Sequence, residues 1–125
     1  MQVLQIRPME QISVDQDRLG ALYTQLGEAG AEDVVCRALE DLARRLTQCE
    51  QHFRDAAWAD LQKNARSLIA ISDQIGMADL AKVARDVGQC VTNNDATALA
   101  ATLSRLFRIG ERSLTAIWDI DEMPE

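Results

Sequence analysis

Apolar residues recur along this chain at intervals of three and four, and only two prolines stand in its 125 residues. Val35, Leu39, Leu42, Leu46, Cys49 and Phe53 form one such series, and Leu61, Ala65, Leu68, Ser72 and Ile75 a second. Leu80, Ala84, Val87 and Val91 make a third; Leu99, Leu103, Leu106, Gly110, Ser113 and Ile117 make a fourth. At about 100° per residue, the five members of the second series fall within roughly 80° of one another, so they line one stripe of a helix. A strand, with its period of two, would divide the same residues between opposite faces. The spacing therefore predicts an all-α chain with long helices over 33–54, 57–75, 77–93 and 95–118. Links this short make successive helices antiparallel neighbours, and the expected architecture is an up-and-down antiparallel four-helix bundle. A short N-terminal helix precedes it, with Leu19, Leu22, Tyr23 and Leu26 on its inner side and Gly27 and Gly30 as its stop.

Capping chemistry supports these boundaries. Acidic Glu32 and Asp33 suit the start of the first long helix, where free N–H groups favour negative charge. Gly76 suits a left-handed residue just past a helix end, and Asp95 suits an N-cap. Gly110, inside an apolar stripe, implies a close approach between helices at about 1 kcal/mol of helix propensity. Residues 1–14 alternate weakly and read as an N-terminal arm, 15–118 as the bundle, and 119–125 as an acidic tail.

Charge and motif content then remove whole classes of function. Thirteen Lys and Arg stand against 20 Asp and Glu, a formal charge of -7. No dense basic stripe exists to hold a phosphate backbone, so nucleic acid is not an expected partner. No apolar run approaches the ~18 residues of a membrane span, and the opening MQVLQIRPME lacks the plan of a leader. A soluble, cytoplasmic protein with no membrane partner is the expectation. Cys36, Cys49 and Cys90 lack CxxC spacing and read as reduced thiols in or beside the core. His52 is the sole histidine, so no metal pair can form, and it reads as a boundary residue near a helix C-terminus. No two carboxylates are placed together for acid–base work, and no phosphate-binding loop, dinucleotide fingerprint or nucleophile elbow occurs. The chain is expected to be no enzyme, with no catalytic residue, no metal and no cofactor.

What remains is surface. Measured from Leu61, Arg66 lies near 140° and points outward, while Ile69 lies about 80° away on the shoulder between core and solvent. Gln62, Lys63, Arg66, Ile69, Ala70 and Asp73 form a candidate binding surface with an apolar centre and a charged rim. Arg105, Arg108 and Arg112 draw a secondary basic line on the last helix, either a salt-bridged face or a landing site for an acidic partner.

The segment ARSLIAISDQIGMADLAKVARDV, residues 65–87, resembles the central helix pair of histidine-containing phosphotransfer domains. The family motif reads roughly Ala-His-Ser-Leu-Lys-Gly, followed by a glycine and a leucine-centred helix. Ala65, Ser67, Leu68, Gly76 and Leu80 stand where the family has the same residue types, and the resemblance extends over most of 15–118. Arg66, however, takes the place of the phosphorylated histidine, Ile69 that of the lysine and Ala70 that of the glycine. An arginine has no imidazole nitrogen to attack an aspartyl phosphate, so the family's transfer chemistry is lost at this position. The resemblance implies a non-catalytic binding module whose partner is the receiver domain of a response regulator in phosphorelay signalling. Two alternatives stand beside it. One is an active phosphotransferase using His52, and the other is a general helical interaction protein whose apolar shoulder forms a homodimer.

Overall fold

The computed structural model describes residues 14–122, and within them it contains four helices and no strand. They are α1 (Gln16–Arg54), α2 (Trp58–Gln74), α3 (Ala78–Thr92) and α4 (Ala96–Glu122). The arm at 1–13, the last three residues of the acidic tail and the side chains of 117–122 lie outside the described part.

α1 unites the expected short helix with the expected first long one. Asp15 caps its start by accepting the Arg18 N–H at 3.1 Å. Gly27 alone breaks the helix, at φ 77° and ψ 169°, a conformation open to glycine and strained for any residue with a Cβ. The long part resumes directly after Gly27 rather than at 33, so Glu32 and Asp33 sit inside it, not at its start. Gly30 does not stop the helix: a Cβ there would stand 3.2 Å from the Leu26 Cβ, so its absence allows the chain to pass close by the bend. Leu26, expected on the inner side, is 46% exposed beside that bend. α4 also outruns its expected end at 118, because nothing before Pro124 interrupts a helix.

The three links share one construction. After α1, the Ala56 N–H donates to the Phe53 carbonyl and the Ala57 N–H to the His52 carbonyl, at 3.2 and 2.8 Å. After α2, Gly76 and Met77 repeat the pattern onto Asp73 and Ser72, and after α3, Asn94 and Asp95 repeat it onto Val91 and Cys90. Each is a Schellman turn, with Ala56, Gly76 and Asn94 in the left-handed position at φ 53°, 80° and 54°. The third residue of each turn is the N-cap of the next helix. Asp95 fills that role with its side chain, accepting the Ala98 N–H at 3.0 Å, whereas Ala57 and Met77 have none to offer.

Each helix packs on two others: α2 on α1 and α3, and α4 on α3 and α1. The stripes read from the sequence supply the core, with Leu42, Leu61, Leu68, Leu80, Val87 and Leu106 fully enclosed. Phe53 and Val91, at stripe ends, are half-buried. Gly110 marks a close approach, since a Cβ there would lie 2.6 Å from a Leu46 methyl. Polar ties fix the register between helices. Buried Asn64 on α2 donates to the Arg45 carbonyl at 3.0 Å and accepts from the Arg45 guanidinium at 3.0 Å, which in turn pairs with Asp41. A left-over polar group there would cost about 1–3 kcal/mol, so the paired arrangement holds α1 against α2 in one register. Cys49 is buried beside Asn64 and Cys90 is half-buried, as expected, but Cys36 is exposed because it stands one residue off the stripe.

Candidate functional site

The six residues of the candidate surface lie along α2, and the fold sorts them into three kinds. Lys63, Arg66 and Ala70 are exposed. Neither Lys63 nor Arg66 makes a side-chain hydrogen bond or ion pair among the described residues. Ile69 is half-buried and packs against the core, so it is a shoulder residue that supports the fold as well as the surface. Gln62 and Asp73 are bound to α3. The Gln62 amide donates to the Gly88 carbonyl at 3.2 Å and to the Thr92 hydroxyl at 2.7 Å. Asp73 pairs with Arg85 at 3.2 Å.

These ties define a seam along the outer side of α2 and α3. Gln62 and Thr92 close one end and Asp73 and Arg85 the other, with Gly88 on its α3 side. A Cβ on Gly88 would meet nothing within 4 Å, so this glycine leaves open space that the packing of the chain does not require. The face therefore presents two unpaired cations beside half-buried Ile69 and exposed Ala70 on a chain of net charge -7. Such a face can attract an anionic or carboxylate-bearing surface by charge. Sequence reasoning missed Gly88, Thr92 and Arg85, because which residues of α3 face Gln62 and Asp73 depends on the docking of the two helices.

The secondary basic line is not a bare row of cations. Arg105 lies 3.8 Å from Asp86 on α3, and Arg108 donates to the Ser104 hydroxyl at 3.3 Å; Arg112 likewise has an interaction partner. His52 stands in the last turn of α1, half-buried, with its Nδ1 enclosed and without a hydrogen-bond partner. No group of three or more metal-ligating side chains occurs among the described residues, and none of their helices is long and apolar enough to cross a membrane.

A separate groove of about 130 Å³ lies between Trp58 at the start of α2 and the third link, lined also by Cys90, Val91, Asp95 and Leu99. Trp58 is 42% exposed there and meets the edge of Phe53 at a ring separation of 6.0 Å. The groove contains none of the six surface residues.

Fold and surface together define the described residues as all-helical, four helices with an unpaired basic pair on α2. Compared with family models, curated proteins and solved structures, the chain matches none.

Proposed function

We propose that the protein is a non-catalytic interaction module, an up-and-down antiparallel four-helix bundle that binds the receiver domain of a response regulator through the outer face of α2. Three-residue links and the packing of each helix on its neighbours in chain order support that arrangement. The observation that carries the binding reading is the unpaired state of Lys63 and Arg66, beside half-buried Ile69 and exposed Ala70. A cation kept free on a chain of charge -7, where most arginines pair with a carboxylate or hydroxyl, is available to an acidic partner. The resemblance of 65–87 to phosphotransfer domains supplies the class of that partner, whose phosphorylation pocket is acidic. The loss of histidine at position 66 supplies the non-catalytic character.

Calorimetry against receiver domains from the same cell tests the proposal. Binding is expected, with the double variant Lys63→Ala, Arg66→Ala weakening it about tenfold at low salt and less at high salt, as screening shortens the reach of both charges. Both side chains are exposed, so the variant should melt with the wild type. Incubation with a phosphorylated receiver should leave no acid-labile label. Receiver domains that fail to bind, or a label that disappears in His52→Gln, would overturn the proposal. A wild-type dimer that becomes monomeric on changing Ala70 to Arg would reassign the face to self-association.

A further inference from the structure

The three links are built alike but differ in burial. Asp55 and Ala56 in the first are exposed, and so are Asn93, Asn94 and Asp95 in the third. The second is sealed: Ile75 and Met77 have no accessible surface, and Gly76 is buried between them. A turn with two large apolar side chains at the end of a helix pair would face water unless something covered it. The cover is the start of α1. The Asp15 N–H donates to the Gly76 carbonyl at 2.7 Å, and Val14, Leu19 and Leu22 pack half-buried against the core. A Cβ on Gly76 would stand 2.7 Å from the Asp15 carbonyl oxygen, so the approach of the two backbones requires glycine there apart from its torsion.

This cover is held far less firmly than the helices beneath it. From residue 14 to residue 30 no side chain is fully buried, whereas from Ala31 onward α1 contributes a continuous buried stripe. Its far end is Gly27, whose torsions only glycine adopts freely and whose missing Cβ has nothing within 4 Å. The torsion, not the packing, requires glycine there.

We infer that residues 15–26 form a hinged cap over the turn at 75–77, with Gly27 as the hinge and Gly76 as the latch. Closed, the cap withholds Ile75 and Met77 from solvent. Open, it uncovers an apolar surface at the end of α2 while leaving the rest of the core assembled. Local opening of this kind has a free energy below that of global unfolding, and amide exchange reads it directly.

Hydrogen exchange on the full chain tests the inference. In the wild type, amides of 19–26 should exchange at least about tenfold faster than those of 38–50. Leu22→Asp puts a carboxylate where the cap packs half-buried against the core and leaves the residues of the turn unchanged. In that variant the cap amides should lose their protection and an apolar dye should bind several-fold more, while 38–50 and 99–109 keep theirs. Gly76→Ala should act in the same direction by pushing on Asp15; where that variant fails to fold, Leu22→Asp carries the test alone. Cap amides as slow as those of 38–50 in the wild type would overturn the inference. So would a Leu22→Asp variant in which all four helices lose protection together.

Discussion

Cys49 lies enclosed between α1 and α2, where the Asn64 amide donates to its sulfur at 3.4 Å. Burial pushes its thiol up from 9.0 to about 11, against a smaller opposing effect of the Arg45 charge. The folded protein thus keeps a proton that the unfolded chain gives up near pH 9. The resulting stability is complete below that pH and declines as pH rises towards 11. The loss should reach about 1.4 kcal/mol per pH unit at its steepest. Denaturant midpoints at pH 8 and pH 10.5 check this: the wild type should fall further between them than Cys49→Ala does, and equal falls would contradict it. Cys36, exposed on the opposite side of the helix, should take a thiol reagent first at pH 8. The phase of the sequence contained this distinction. Cys49 follows Leu46 by three residues and falls on the stripe, whereas Cys36 stands beside Val35 and falls off it. What the phase could not contain is Asn64, a polar residue buried because Arg45 and Cys49 of another helix receive it.

Elements begin and end here through one repeated turn, and the three residues in its left-handed position are not equally suited to it. Gly76 carries no Cβ and Asn94 tolerates positive φ, but Ala56 at φ 53° carries the steric cost of roughly 1–2 kcal/mol that L residues meet there. Ala56 is exposed, so its methyl contributes no packing in return. Ala56→Gly should therefore stabilise the protein, by about 0.5–1 kcal/mol after the greater freedom of glycine in the unfolded chain is counted. Urea unfolding measures it, and a lower midpoint would show that the turn is not strained at Ala56. Gly76 and Asp95 marked two of these turns in the sequence, whereas Ala56 carries no turn signal of its own. The face of α2 divides in the same manner. The outward phase of Lys63 and Arg66 was legible from one helix alone. The capture of Gln62 by Gly88 and Thr92, and of Asp73 by Arg85, needed the second helix in place.

Across the whole molecule the charges and the core contribute on different scales. The ion pairs are mostly within one helix and between exposed side chains, as with Arg37 and Asp33 at 3.2 Å or Arg54 and Glu50 at 2.8 Å. Pairs of that kind contribute about 0–1 kcal/mol each. The core is one contiguous cluster drawn from all four helices, in which Leu68 of α2 meets no solvent. Shortening it leaves a cavity whose lining relaxes only in part, at a cost of about 2–5 kcal/mol. Against a total of roughly 5–15 kcal/mol for a domain, that is a large fraction from a single side chain. Because the cluster is shared, the loss cannot stay within α2. Leu68→Ala should lower Tm by roughly 10 °C or more, with helical circular dichroism and tryptophan fluorescence falling in the same transition. Arg105→Ala, which removes the 3.8 Å pair with Asp86 between half-exposed side chains, should move Tm by a few degrees at most. A Leu68→Ala protein that melts with the wild type, or one in which α2 melts apart from the other helices, would show that the stripe at 61, 65, 68, 72 and 75 does not join the four helices in one core.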